Sequence, residues 1–241
     1  MKRTTNPILF LYQWLIFTPL FAIATVLTAL FTMLFAALFG DKEITYLPAR
    51  AWSRFACFGM FITVHVEGAE NISKGESYIF AANHQSVYDI FLVYGWLDSR
   101  FKWIMKKELR KLPLVGAACE AAGHIFIDRS SPMSAKKSID DASRKLVNGS
   151  SVVIFPEGTR SKDGKLGKFK RGAFTLASEI KLPIVPLTIK GTFKAMPIWS
   201  YNIHPARLTL VIHKPIPYVS EFDENQPLLI EKVRAEVEKG I

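Results

Sequence analysis

Apolar residues follow three rhythms along the chain. The first is nearly continuous. Between Arg3 and Asp41 there is no charged residue, and "WLIFTPLFAIATVLTALFTMLFAALF" (14–39) is relieved only by threonines and one proline. A spanning helix needs about 20 apolar residues. The stretch 8–39 is therefore long for one upright span and short for two spans with a turn. It is also far longer than the core of a cleaved signal peptide, about 7–15 residues. Pro19 can break or kink a helix near its middle. Two arrangements fit: a single tilted, kinked transmembrane helix, or a pair of helices bent near Thr18-Pro19 that dips into one leaflet and returns. Lys2 and Arg3 precede the stretch, and Lys42, Arg50 and Arg54 follow it. Positive charge on both flanks favours the same-side hairpin. The expectation is a membrane anchor over 1–40 built as a helix pair, followed by an amphipathic link over 41–60.

The second rhythm, from residue 61 to the C-terminus, is that of an α/β domain. Short β-rich runs occur at 61–68, 77–83, 101–105, 124–128, 151–158, 183–191 and 207–216. The third rhythm lies between and after them, as helical stretches near 86–97, 113–122, 132–148, 172–181 and 226–239. Strands alternating with helices predict a central, mostly parallel sheet flanked by helices.

Charge and cysteine content narrow the setting. The formal net charge is +10. Such an excess suits nucleic acid, anionic lipid head groups or phosphorylated substrates. The two cysteines, Cys57 and Cys119, have neither metal-like nor disulfide-like spacing, which fits a reducing compartment. The five histidines show no ligand spacing either, and no metal site is expected.

Candidate chemistry begins at "AANHQSVYDIF" (81–91). On a regular helix, residues i and i+5 do not face each other. If the strand ends at Asn83 and a helix starts near Ser86, however, His84 lies in the turn and can fold back over Asp89 in the first helical turn. Asp89 would then fix the tautomer and leave the other ring nitrogen free as a base. Ser86, at i+2, points away from His84 and is the natural N-cap, so the base should act on a hydroxyl belonging to a substrate. Two further strands, in "GHIFIDR" (123–129) and "VVIFPEGTRS" (152–161), each run into an arginine. Gly158 lets the backbone approach a ligand, Thr159 offers a hydroxyl, and the guanidinium of Arg129 or Arg160 suits phosphate oxygens. Each arginine has an alternative as a surface ion pair, with Glu157 or Asp128. "GKFKRGAF" (167–174) adds Lys168, Lys170 and Arg171, expected to be solvated or to face lipid.

N-H-x4-D, G-H-I-F-I-D-R, F-P-E-G-T-R and V-P-L-T-I-K-G, in this order within 83–191, resemble the glycerolipid acyltransferase family, and within it the bacterial 1-acyl-glycerol-3-phosphate acyltransferases. The resemblance implies that His84, oriented by Asp89, acts as general base on the sn-2 hydroxyl of lysophosphatidate. That oxygen attacks the thioester of an acyl carrier protein or coenzyme A directly, forming phosphatidic acid with no other cofactor. It implies that Arg129 and Arg160 hold the acceptor phosphate in a pocket shaped by Glu157, Gly158 and Thr159. Lys106 or Lys107 is the candidate oxyanion donor. The implied partners are the bilayer, lysophosphatidic acid and the acyl thioester, with no nucleic acid. The implied location is the cytoplasmic membrane, with the site facing the cytoplasm. Rival readings are a membrane-anchored nucleic-acid binder, which leaves the dyad unexplained, a hydrolase using Ser86, and a non-catalytic scaffold. Within the enzyme reading, the alternative is another lysolipid acceptor.

Overall fold

The computed structural model describes residues 6–128, 133 and 150–241. Seven strands, β1 Thr63–Glu67, β2 Ile79–Ala82, β3 Phe101–Lys106, β4 Ile125–Ile127, β5 Ser151–Ile154, β6 Ile184–Lys190 and β7 Arg207–Ile212, form one sheet in the order β1-β7-β6-β2-β5-β3-β4. Every neighbouring pair is parallel except β6 and β7, which run antiparallel. The central strands β2 and β5 are buried along their whole length, as expected of parallel strands covered on both faces. The edge strand β1 alternates between exposed and half-buried positions.

Strand periodicity divides the interior into two cores. Phe80, Ala82 and Val153 face one side, Ile79, Ala81, Val152 and Ile154 the other. The first core is closed by α1 Pro7–Phe39, α2 Leu47–Phe58 and α3 Tyr88–Trp96, through Phe17, Ala56, Cys57 and Leu92. The second is closed by α5 Arg171–Ile180 and α8 Gln226–Lys239, through Phe174, Leu229, Val233 and Val237. Between these lie α4 Val115–Ala121 and the single turns α6 Thr192–Ala195 and α7 Glu221–Glu224. The helix expected at 132–148 falls outside the described residues apart from Met133.

The apolar N-terminus is one helix of 33 residues, not a pair bent at Pro19. Proline removes one N–H and crowds the carbonyl four residues back. Here the turn before it, Gln13–Phe17, opens to π geometry, with Thr18 N–H bonded to Gln13 O, and the helix passes through Pro19. The reversal comes later, at Gly40 (φ 66), where Thr45 Oγ1 donates to Gly40 O at 2.7 Å. The link expected over 41–60 is the second arm. Its helix α2 runs back along α1, stacking Phe55 on Phe17 and Trp52 on Phe21, with Trp52 Nε1 donating to Thr25 Oγ1 at 2.9 Å. The opposite face of α1 is exposed and apolar, carrying Leu11, Leu15, Leu20, Ile23, Leu27, Leu30, Leu34 and Leu38.

Candidate active site

Strand β2 ends in a side-chain splice. Asn83 Nδ2 donates to Ile189 O at 2.9 Å and its Oδ1 accepts from Ile189 N at 2.7 Å, so a buried amide continues the pairing with β6. The chain then turns through His84–Val87 into α3. Asp89, fully buried in the first turn, gathers three donors on one oxygen: His84 Nδ1 at 2.7 Å, Gln85 N at 2.6 Å and Ser86 N at 2.9 Å. A carboxylate is favoured at this end of a helix. With Nδ1–H donated to Asp89, Nε2 carries the lone pair. The imidazole is also stacked on Phe155, with ring centroids 3.9 Å apart and planes inclined by 10°, and Trp103 stacks behind Phe155. Ser86 is buried and fully engaged. Its Oγ accepts from Tyr88 N, the first N–H of α3, at 3.1 Å and donates to Met196 O at 2.6 Å, so it braces the start of α3 from one residue ahead of the N-cap Val87 and does not bond the imidazole.

The loop after β5 is braced against this turn. Glu157 Oε1 accepts from His84 N and its Oε2 from Gly167 N, each at 2.8 Å. Burial raises the Glu157 pKa, opposed by those two N–H groups. Both carboxylate oxygens are thus occupied by backbone, and Glu157 is not the ion partner of Arg160. Ser161 N donates to His84 O at 2.8 Å, closing the loop from the other side. Gly158 has φ 74, and a Cβ there would lie 3.1 Å from Lys170 Nζ. Gly158, Thr159, Arg160 and Lys170 all line the cavity that contains His84. Lys170, expected to face solvent or lipid, therefore belongs to the site. Its basic character was visible in sequence, but not that its side chain folds back over Gly158. Of the other expected residues, Lys106 lines the cavity while Lys107 pairs with Asp128 at 3.0 Å. Arg129 lies outside the described residues.

The cavity, about 960 Å³, runs from the dyad between the sheet and α1, where Thr25, Thr28, Ala29 and Thr32 form a wall. Its lining is mostly apolar. The same cavity is lined by a second histidine, His124, which accepts at Nδ1 from Trp103 N at 3.3 Å and bonds Tyr94 Oη through Nε2 at 2.6 Å. Burial, reinforced by Lys102, pushes the His124 pKa down to about 3. Lys102 is itself buried and bonds Asp41 Oδ1 and Ala122 O, each at 2.7 Å, which ties the reversal after α1 to the sheet. Burial alone would raise the Asp41 pKa, but Lys102, Ser150 and Tyr46 outweigh it and lower it.

Residues 63–190 match the model of a family described as Acyltransferase. The chain is 36% identical over 177 residues to the chloroplastic 1-acyl-sn-glycerol-3-phosphate acyltransferase LPAT1 of Arabidopsis thaliana, covering 73% of this chain and 49% of that protein. It is 32% identical over 174 residues to the human 1-acyl-sn-glycerol-3-phosphate acyltransferase alpha, covering 72% and 62%. The chain thus spans about half to three-fifths of these relatives. The crystal structure of the 1-acyl-sn-glycerophosphate acyltransferase PlsC of Thermotoga maritima superposes with a TM-score of 0.77 at 32% identity, over 97% of this chain and 95% of that one.

Proposed function

This chain belongs to the acyltransferase family, and from that premise we propose that it transfers an acyl group from a thioester to the sn-2 hydroxyl of 1-acyl-glycerol-3-phosphate, forming phosphatidic acid. The observation that carries the reading is a histidine–aspartate pair without a nucleophile of its own in the lining of a largely apolar cavity. Among the described residues no serine or cysteine hydrogen-bonds the imidazole of His84, so the attacking hydroxyl comes from the acceptor. His84 Nε2 takes the hydroxyl proton as oxygen attacks the thioester carbonyl, and Asp89 steadies the imidazolium. Collapse of the tetrahedral intermediate breaks the C–S bond, and the departing sulfur takes the proton back from Nε2. Lys106 is the donor assigned to the developing oxyanion. Arg160, with Lys170 beside Gly158, is assigned to the acceptor phosphate, and Arg129 is proposed as its second guanidinium. The relatives' names, and the cationic Arg160 and Lys170 in the cavity lining, support a lysophosphatidate acceptor over other lysolipids.

The long apolar helix indicates membrane association. We place α1 lengthwise in one leaflet of the cytoplasmic membrane, with the active site on the cytoplasmic side. Its inner face is occupied by protein from Tyr12 to Thr32, about 30 Å of helix, while its outer face offers only aliphatic and aromatic side chains. The acyl carrier protein or coenzyme A thioester would approach from the aqueous side.

The test is purified full-length protein assayed with 1-acyl-glycerol-3-phosphate, lysophosphatidylcholine and glycerol 3-phosphate, each with acyl carrier protein and coenzyme A thioesters. Phosphatidic acid formation that His84→Ala abolishes is the expected result. Transfer to lysophosphatidylcholine in preference to the phosphate acceptor would favour the other lysolipid reading.

A further inference from the structure

One segment remote in sequence from the anchor exposes large aromatic groups beside it. Between α6 and β7 the chain runs "MPIWSYNIHP" (196–205), where Trp199 is 63% and Tyr201 78% exposed. Neither is a loose tip. Gln13, 2% exposed, sits in the π turn of α1 and grips this loop with both ends of its amide: Nε2 donates to Tyr201 O at 2.7 Å and Oε1 accepts from Ile203 N at 2.8 Å. It is the one carboxamide in the apolar stretch 8–39. The other end of the loop is held by Ser86 through Met196 O at 2.6 Å, and Trp199 rests edge-on against Phe193 with centroids 5.2 Å apart. The loop is thus fastened at one end to the membrane helix and at the other to the turn that carries the dyad.

We infer that the 196–203 loop is a second membrane contact, which seats Trp199 and Tyr201 at the head-group level of the leaflet that holds α1. This inference rests on the membrane placement proposed above. Trp and Tyr, with an apolar body and a polar tip, favour the bilayer–water boundary. The lipid assignment follows from continuity: Phe10 and Trp14, exposed on α1 beside Gln13 with ring centroids 6.4 Å apart, border the turn that Gln13 uses to hold the loop. The π turn gains a function as well. Wide turns occur frequently at functional sites, and this one carries the buried amide that fastens the loop. Because Ser86 joins the same loop to the His84–Asp89 turn, the depth of the aromatic pair fixes the depth of the base.

The experiment is site-directed spin labelling of the full chain in vesicles of phosphatidylcholine and phosphatidylglycerol, in a Cys119→Ala background, since Cys57 is wholly buried. Nitroxides at Trp199→Cys and Tyr201→Cys are compared with a lipid reference at Leu15→Cys and a solvent reference at Glu231→Cys, in α8 on the opposite face of the sheet. Collision with oxygen over a water-soluble nickel chelate should be favoured at 199 and 201, nearer to 15 than to 231. Adding Gln13→Leu should lower that preference at 199 while leaving 15 unchanged. Solvent-like accessibility at 199 and 201, with 15 lipid-like, overturns the inference while sparing the membrane placement. Solvent-like accessibility at 15 overturns both. Dipolar broadening between labels at 199 would put a second copy of the chain there and overturn the lipid assignment. An unchanged 199 signal in Gln13→Leu overturns the fastening role. None of these readouts depends on catalysis, so the acyl-transfer reading stands or falls separately.

Discussion

His84 and His124 line the same cavity, and their neighbours give them opposite chemistry. His84 is at the mouth, partly open, with a carboxylate on Nδ1 and an aromatic ring against its face. A proton arriving at Nε2 finds Asp89 ready to stabilise the cation. His124 is buried between a tyrosine hydroxyl and a backbone N–H, with a buried lysine close enough to disfavour a second positive charge. A proton arriving there finds no anion in contact. The same side chain is thus the proposed base in one setting and a neutral strut in the other. The difference teaches that the carboxylate partner, and not the histidine or the cavity, is what fits His84 for the proposed role.

Breaking the mouth should have the largest effect. His84→Ala is expected to lower kcat by roughly 10²–10⁴, the usual worth of general acid–base catalysis, with the folded protein still bound to membrane. His124→Asn should leave kcat in the wild-type order of magnitude. A similar loss in both variants would erase the distinction between the two histidines.

Next in size is the proposed phosphate contact of Arg160. Arg160→Ala should raise KM for the acceptor by roughly 10- to 150-fold, the equivalent of losing about 1.5–3 kcal/mol in a hydrogen bond to a charged group. The KM for the thioester should change little. A rise confined to the thioester would assign Arg160 to the donor.

The strut should show itself in stability against pH. In the fold, burial aided by Lys102 keeps His124 neutral down to about pH 3, whereas the unfolded chain protonates it near 6.5. Between those values the unfolded state binds the extra proton. The contribution of this group to stability is therefore complete above about 6.5 and is lost as pH falls toward 3, at up to about 1.4 kcal/mol per pH unit. His124→Asn should flatten the acid limb of unfolding free energy measured in detergent. An acid limb as steep as the wild type's would mean that His124 binds its proton in the fold.

The smallest effect concerns the serine that braces the start of α3. Ser86→Ala should lower stability by about 0.5–2 kcal/mol and retain turnover. Mass spectrometry of the intact protein incubated with donor alone should find no acyl group on Ser86. Acylation there would make Ser86 a nucleophile.

Several features of the site were legible in the chain because they are local. The five-residue spacing of His84 and Asp89 can close only across a strand-to-helix turn, and β2 and α3 supply one within the expected bounds. Ser86 reads as a brace of the helix start for the same reason: its partner, Tyr88 N, is two residues away. The role of Glu157 was not legible. Its partners, His84 N and Gly167 N, come from different loops, and their meeting depends on β2 and β5 being neighbours. Lys170 was named but expected in solvent or lipid, and Phe155 went unremarked, since a basic run after a glycine and an aromatic before a proline look like surface and core until their neighbours are known.

The anchor divides in the same way. The sequence by itself determined that residues 8–39 form a long apolar stretch, that seven strands alternate with helices, and that a histidine–aspartate pair sits at one of their junctions, because hydrophobic period and short-range spacing act over a few residues. Only the tertiary structure decided that α1 continues through Pro19 and turns back at Gly40. A proline penalises a regular helical turn, but the π turn at Gln13–Phe17 removes the clash, and the packing of Phe17 and Phe21 on α2 and the bonds of Gln13 to a loop nearly 190 residues away favour that wider turn. Those contacts exist only once the sheet has brought the two ends of the chain together.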